Sequence, residues 1–281
     1  MRKLPLAIVV ALLGAYQPPQ YHIYGLHFAT ERDIPLHYFV PHADTALKLQ
    51  CADIFWVLVP RGGAAGASKR VVLFDAGYYR QTFLDQAKPV PYQRPSDAIR
   101  NVGVTPDAVT DIVISHVHWD HLDGADLFPN AHIWIQKDEY EHYIDGQGKP
   151  LARGIDTVDA AMLATLRRAG RVILIDGDSK QIIPGITVYT GGRHTYASQY
   201  IGVSTTAGTV VLASDDAVTY QNLEQHVAIW ATFAPGDSTV NLEAQDRMRR
   251  IASDPNLIFP GHDPAIFARF PAPGNGVARI E

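Results

Sequence analysis

Three histidines and one aspartate lie within six consecutive residues near the middle of the chain, at His116, His118, Asp120 and His121. Imidazole and carboxylate side chains are the ligands that zinc and its first-row neighbours prefer. A polar loop that caps the following helix is the simpler explanation, but capping needs only one such side chain. The pattern H-x-H-x-D-H therefore predicts a metal-binding loop.

Short apolar segments precede this loop and three further candidate ligands. Residues 111–115 are predicted to form a buried strand that leads into the loop, and similar strands precede His194, Asp215 and His262. A strand end followed by a turn is a rigid position for a metal ligand. A single histidine in such a place is usually an ordinary polar residue. Three such places, together with the H-x-H-x-D-H loop, favour one shared site.

The same alternation of strands and helices predicts the fold class. Strands are expected at 21–29, 54–59, 70–74, 111–115, 131–135, 172–175, 186–190, 200–205, 209–213 and 257–259. Helices are expected at 137–144, 157–169, 221–227 and 240–253. Because many of the strands are short and joined by hairpins, the class is α/β with mixed sheets rather than a regular parallel array. No linker interrupts residues 21–281, so one domain is predicted there.

Composition and missing motifs exclude several classes of function. The formal charge of −5 gives no broad basic surface for nucleic acid. The chain contains no dinucleotide-binding glycine motif, no P-loop and no G-x-S-x-G nucleophile elbow. Cys51 is the only cysteine, so no internal disulfide can form, and we expect it to be a buried, small apolar residue. The partner expected from these features is a small-molecule substrate.

The N-terminal segment is typical of an exported protein. Residues 1–3 are a short basic region, and residues 4–15 are apolar except for Pro5 and Gly14, too short a run to span a bilayer. We predict a signal peptide and short leader over residues 1–20, a periplasmic or secreted mature protein, and no stable membrane association after cleavage. An uncleaved anchor or a buried helix is the alternative.

From about residue 21 to 263 the chain resembles the metallo-β-lactamase-fold hydrolases. The stretches that carry this resemblance, and a closer likeness to the N-acyl-homoserine lactonase-like branch, are 39–41, 115–121, 136–140, 212–215 and 259–263. The fold that the resemblance implies is a four-layer αββα sandwich of two mixed β-sheets, with a metal site at one edge.

The resemblance also implies roles for individual residues. The first metal would be held by His116, His118 and His194, the second by Asp120, His121 and His262, and Asp215 would bridge them. Asp75 corresponds to a structural aspartate beneath the site. The cofactors implied are two divalent metal ions; zinc is the default, and iron, manganese and cobalt also suit a mixed nitrogen and oxygen site.

Two departures from the branch concern the substrate. Those lactonases have a tyrosine three residues past the bridging aspartate, where this chain has Val218, and the nearest tyrosine is Tyr220. Residues 195–197 read Thr-Tyr-Ala where the branch usually has Thr-Pro-Gly. Trp119 and Tyr220 are the candidate substrate-binding residues, although either ring would also suit a packing role.

The function that these features predict is metal-dependent hydrolysis of a lactone or an ester. Two divalent cations that share one water lower its pKa, so that a bridging hydroxide is available at neutral pH. Asp120 is the candidate catalytic residue, orienting that hydroxide or relaying a proton to the leaving oxygen. The alternatives are an exported phosphotriesterase-like or β-lactamase-like hydrolase on the same metal site, and lastly a non-catalytic metal-binding protein.

Overall fold

The computed structural model describes residues 19–62, 70–234 and 236–280. Most of the predicted signal peptide, residues 1–18, lies outside the described residues. The strands are β1 (Tyr21–Pro35), β2 (Lys48–Pro60), β3 (Val71–Phe74), β4 (Val109–Val113), β5 (His132–Gln136), β6 (Val172–Ile175), β7 (Lys180–Ile183), β8 (Ile186–Thr190), β9 (Gln199–Thr205), β10 (Gly208–Ser214), β11 (Ile258–Pro260) and β12 (Val277–Arg279). The α-helices are α1 (Gln81–Ala87), α2 (Pro95–Ala98), α3 (Trp119–Leu122), α4 (Lys137–Tyr143), α5 (Thr157–Arg168), α6 (Tyr220–Gln225), α7 (Ser238–Ile251) and α8 (Ala265–Arg269). Short 3₁₀ segments occupy Leu36–Tyr38, Ile99–Val102, Pro106–Ala108, Asp123–Leu127 and Pro255–Leu257.

The strands of the described residues form two sheets. One has seven strands in the order β12-β1-β2-β3-β4-β5-β6, and the other has five in the order β11-β10-β9-β8-β7. In the larger sheet β12, β1, β2 and β3 pair antiparallel, whereas β3 to β6 run parallel. In the smaller sheet β7 to β10 are antiparallel and β11 joins β10 in parallel. Both sheets are therefore mixed, and the predicted α/β class is confirmed.

Side chains on the central strands alternate between two apolar cores, because successive residues of a strand point to opposite faces. On β2, Phe55 enters one core and Trp56 the other. The core around Trp56 also takes Ile201 from the smaller sheet, so it fills the space between the sheets. The core around Phe55 takes Leu163 from α5, and Met248 of α7 packs on the smaller sheet. The layers are helix, sheet, sheet and helix.

The parallel strand pairs bring the carboxyl ends of four strands to the site. Phe74 of β3 pairs with Val113 of β4, and Ser214 of β10 pairs with Pro260 of β11. The carboxyl ends of parallel neighbours lie at the same edge of a sheet. Each of these four strands is followed within three residues by a polar side chain of the candidate site: Asp75, His116, Asp215 and His262. The ends of these strands therefore determine where the polar side chains of the candidate site are placed.

Among the described residues, the structure has no helix that is long and apolar enough to cross a membrane.

The close contact between the 3₁₀ segment Asp123–Leu127 and the end of β3 requires a glycine. The amide of Gly124 donates to the carbonyl of Gly77 at 2.7 Å, and a Cβ at Gly124 would lie 2.2 Å from the carbonyl oxygen of Ala76. We expect Gly124→Ala to lower the free energy of unfolding by about 1–3 kcal/mol, since the added methyl has no room. Urea denaturation measures this change. Gly146→Ala is the control, because a Cβ there meets nothing within 4 Å; an equal loss in both variants would contradict the explanation.

Candidate metal centre

Three imidazoles form the first group of the site. His116 and His118 leave the end of β4, and His194 follows the turn after β8. His118 Nδ1 lies 3.0 Å from His116 Nε2 and 3.0 Å from His194 Nε2. One ring nitrogen from each of the three lies within 4.8 Å of the others. Nitrogen atoms converge here on one point, which is the arrangement that a shared cation needs.

A second group lies beside it and combines one carboxylate with two imidazoles. His121 Nε2 lies 3.2 Å from Asp120 Oδ2 and 3.3 Å from His262 Nε2. His262 Nε2 lies 3.7 Å from the same oxygen of Asp120. Asp120 and His121 are in the short helix α3, and His262 follows β11. These three side chains also meet the spacing of a metal site.

Asp215 lies between the two groups and turns a different oxygen to each. Its Oδ2 lies 3.3 Å from His194 Nε2, whereas its Oδ1 lies 3.3 Å from His121 Nε2 and 3.0 Å from His262 Nε2. The buried Oδ1 has these ring nitrogens beside it but no hydrogen bond with proper geometry to any described residue. An acceptor in this state is a suitable cation ligand.

The outward-facing nitrogens of the rings are held by fixed acceptors. His121 Nδ1 donates to Asp75 Oδ2 at 2.9 Å, His262 Nδ1 to the carbonyl of Ala52 at 3.1 Å, and His194 Nδ1 to the carbonyl of Ala231 at 2.9 Å. These bonds leave each Nε2 directed into the site. A carboxylate or carbonyl behind a ligating imidazole sets its tautomer and ring orientation.

The first group is electrostatically suited to neutral imidazole. Burial, with the neighbouring imidazoles His121 and His118, lowers the pKa of His116 well below its ordinary value. Burial and the adjacent His194 lower the pKa of His118 to about 4, and burial also lowers the pKa of His194. Metal ligation requires the neutral imidazole, so these residues need lose no proton at neutral pH.

The second group favours positive charge. Burial would raise the pKa of Asp120, but His121 and His262 outweigh it and lower that pKa to about 2. Burial opposes a charged His121, yet the carboxylates of Asp120 and Asp215 raise its pKa well above the ordinary value. Asp215 acts on His262 in the same way. The field at this position stabilises a cation, and the donor set fits a divalent metal ion.

A match to a known protein family shows the superfamily of this chain. Residues 64–262 match the model of the Metallo-beta-lactamase superfamily. The chain belongs to the metallo-beta-lactamase superfamily. An N-acyl homoserine lactonase of Bacillus thuringiensis is 28% identical over 210 residues, which cover 74% of this chain and 76% of that protein. An N-acyl homoserine lactonase of Bacillus cereus is 28% identical over 212 residues, with the same two coverages of 74% and 76%.

Solved structures agree on the fold of this superfamily member. A quorum-quenching N-acyl homoserine lactone lactonase superposes with a TM-score of 0.68 at 21% identity, covering 88% of this chain and 94% of that one. AidC, described as a dizinc quorum-quenching lactonase, superposes with a TM-score of 0.63 at 15% identity, covering 94% and 95%. The predicted superfamily, its fold and its class of metal-dependent hydrolase are confirmed, and the lactonase-like branch fits these relatives.

The two candidate substrate residues lie in different places. Trp119 is half-buried, with its ring stacked on Phe83 at 5.1 Å and edge-on to Tyr78 at 4.7 Å. Tyr220 begins α6, and its ring lies 3.8 Å below the guanidinium of Arg269, lining a separate cavity of about 330 Å³. The ring contacts of Tyr220 are thus away from the seven predicted ligands. Val218 is buried, and its isopropyl side chain has no hydroxyl group that could polarise a carbonyl.

Three buried carboxylates next to this metallo-beta-lactamase site were not assigned a role from the sequence. Asp53 Oδ1 lies 3.5 Å from His262 Nδ1, and Glu139 and Asp216 hold the loop that carries His194. Of these three, Asp53 could have been noticed in the sequence, because it is a charged residue inside the apolar strand β2. The nearby Cys51 is buried as predicted, and burial raises the pKa of its thiol to about 11.

Replacing Asp75 should weaken metal binding by the second group. In Asp75→Asn the amide NH₂ faces either the N–H of His121, whose ring then loses its fixed orientation, or the N–H of Ser115, which precedes His116, so one of these two hydrogen bonds is lost. We expect the affinity for Zn²⁺ to fall about 10- to 100-fold. Competition with a chelator and metal analysis after dialysis measure this change. Asp85→Asn, which alters an exposed carboxylate on α1, is the control, and wild-type affinity in Asp75→Asn would contradict the role of Asp75.

Proposed function

We propose that this protein is a binuclear metal-dependent hydrolase that opens a lactone ring or cleaves an ester. The observation that carries the proposal is Asp215, whose two oxygens face two separate groups of ligand-type side chains. A bridging carboxylate of this kind suits two cations rather than one. The relatives named above as N-acyl homoserine lactonases support a lactone as the substrate class.

Five imidazoles and two carboxylates would hold the two metal ions. The first ion would be bound by His116, His118 and His194, the second by Asp120, His121 and His262, with Asp215 shared. Bound divalent ions supply a water of lowered pKa and polarise the substrate carbonyl. Zinc is the ion that we propose, because nitrogen-rich sites with some carboxylate suit it well; iron, manganese and cobalt are the alternatives.

Asp120 would move the proton in this reaction. Against the opposing effect of burial, His121 and His262 lower the pKa of this carboxyl, so it is ionised at neutral pH and would orient the attacking water as a hydrogen-bond acceptor before relaying its proton. The same carboxyl would then deliver that proton to the oxygen that leaves the acyl carbon. The bond from the acyl carbon to the water oxygen forms, the bond to the leaving oxygen breaks, and a lactone gives one hydroxy acid. General acid–base catalysis of this type contributes about 10²- to 10⁴-fold to the rate.

The substrate wall is proposed to include Trp119. One face of its ring packs on Phe83, and the side chain remains half-exposed beside Asp120. Val218 provides no phenol to polarise a carbonyl, which keeps a phosphotriesterase-like or β-lactamase-like hydrolase as the second candidate. A role for Tyr220 in substrate binding stays a prediction.

Turnover of metal-replete protein tests this function directly. We expect hydrolysis of lactones, with slower cleavage of aryl esters, and little turnover of β-lactams or phosphotriesters. Asp120→Asn should lower kcat by at least about 100-fold, because its amide cannot accept the proton. Asp138→Asn, on the exposed face of α4, should keep wild-type activity. Hydrolysis of phosphotriesters alone would replace the lactonase proposal by the second candidate.

We also propose that the protein is exported to the periplasm or secreted, on the basic and apolar character of residues 1–15. When the full chain is expressed in a Gram-negative host, the protein should be recovered from the periplasm or medium with a new N-terminus near residue 16. A variant without residues 1–20 should stay inside the cell. Recovery of the full chain with Met1 intact from the cytoplasm would contradict export.

A further inference from the structure

The side chain of Glu139 lies at a junction that the sequence did not reveal. Glu139 is the third residue of α4 and is fully buried. Its Oε1 accepts hydrogen bonds from the amide of Val117 at 3.1 Å and the hydroxyl of Thr195 at 2.6 Å, and its Oε2 accepts one from the amide of Ala197 at 2.7 Å. One carboxylate thus takes three donors from two loops.

These donors lie beside the imidazoles of the first group. Val117 stands between His116 and His118, on the loop that follows β4 of the larger sheet. Thr195 follows His194, on the loop after β8 of the smaller sheet. His118 and His194 are 76 positions apart in sequence, yet His118 Nδ1 lies 3.0 Å from His194 Nε2. Glu139 therefore joins the loops from both sheets at the point where they must meet.

We propose that Glu139 is a positioning residue that clamps these two loops together, so that His116, His118 and His194 are arranged for the first metal ion before it binds. The proposal rests on the proposed metal-dependent function. Hydrogen bonds to a carboxylate are shorter and stronger than those between neutral groups. Burial removes competing water, so the clamp resists separation of the loops. A metal site whose ligands are already in place binds without the loss of entropy that ordering them would require.

The departures at residues 195–197 are compatible with the clamp. Thr195 retains the hydroxyl that donates to Glu139, and Ala197 supplies its main-chain N–H, which any residue but proline would supply. Tyr196 lies between them, and its amide N–H donates to the hydroxyl of Tyr143 at 3.3 Å, a bond that proline could not make. This loop is therefore held to α4 by the main-chain N–H groups of Tyr196 and Ala197 and by the hydroxyl of Thr195.

The substitution Glu139→Gln tests the hydrogen bonds of this side chain without changing its size. Glutamine keeps the size of the side chain but replaces one acceptor oxygen by an NH₂ donor. In one orientation this donor faces the N–H of Ala197, and in the other it faces the N–H of Val117, so one of the two loops loses a main-chain hydrogen bond in either case. Glu141→Gln is the matched control, because Glu141 is two residues further along α4 and its exposed carboxylate pairs with Lys137 at 2.9 Å.

The experiment measures metal binding rather than turnover. Zn²⁺ affinity of the full-length metal-free protein is determined by chelator competition for wild type, Glu139→Gln and Glu141→Gln. We expect Glu139→Gln to bind Zn²⁺ about 10- to 100-fold more weakly and Glu141→Gln to match wild type. The visible spectrum of the Co²⁺-loaded protein should change only in Glu139→Gln. Hydrogen exchange of the metal-free variant should accelerate in 115–121 and 191–198, and not in the 180–190 hairpin.

A purely structural role for Glu139 predicts a different outcome. Glu139→Gln would then unfold at a lower temperature, while its Zn²⁺ affinity and Co²⁺ spectrum below that temperature stayed as in wild type; this result overturns the proposal. If Glu139→Gln does not fold, Thr195→Val carries the test, since it removes one donor and keeps the shape of the side chain. We expect about a several-fold loss of Zn²⁺ affinity for Thr195→Val, and an unchanged affinity overturns the proposal.

These measurements distinguish the clamp from the enzymatic function. A wild-type protein that turns over no lactone or ester, but binds Zn²⁺ more tightly than Glu139→Gln, supports the clamp and contradicts the hydrolase. A wild-type protein that hydrolyses lactones, with equal Zn²⁺ affinity in Glu139→Gln, supports the hydrolase and contradicts the clamp.

Discussion

The carboxylate of Asp75 joins the two sheets at the floor of the site. It lies directly after β3 and accepts hydrogen bonds from the amide and hydroxyl of Ser115, the hydroxyl of Ser214 and Nδ1 of His121. Ser115 follows β4 of the larger sheet, and Ser214 ends β10 of the smaller one. Asp75 and Ser214 also hold left-handed backbone conformations, with φ of 63° and 47°. Such conformations are costly for residues other than glycine, and this dense hydrogen bonding maintains them.

Above this floor, seven ligand-type side chains, all of them buried or half-buried, lie within a few ångströms of one another. Burial of charged and polar groups is unfavourable unless each has a partner. The protein meets this requirement in two ways. Outward-facing nitrogens of His121, His194 and His262 bind main-chain carbonyls or Asp75, while the inward-facing atoms approach one another where the metal ions are proposed to bind. The pKa values divide accordingly, lowered in the first group and raised at His121 and His262.

Much of this arrangement could be predicted from the sequence, because ligand type and strand ends are local signals. The helix α5 was also predictable, since Asp156 caps it and its apolar residues recur at helical spacing. By contrast, α1 has Arg80 at its N-cap and no capping side chain, so no start signal exists. The strand predicted at 21–29 is longer in the structure, because pairing of β1 with β2 continues to Pro35 through register shifts. Glu139 was missed because its donors come from loops far away in sequence, and only the fold brings them together.

Val218 shows why the metal site and the substrate site follow different rules. The carbonyl of Val218 accepts a hydrogen bond from the amide of His262 at 2.9 Å, so this position supports a ligand through its main chain. That bond uses only the main chain, so it does not require a particular type of side chain at this buried position. His121, by contrast, is held by a side chain, the carboxylate of Asp75. The arrangement of the seven ligand-type side chains therefore does not depend on the type of side chain at 218, and in the proposed hydrolase the residues that select the substrate are expected among groups outside that set, such as Trp119.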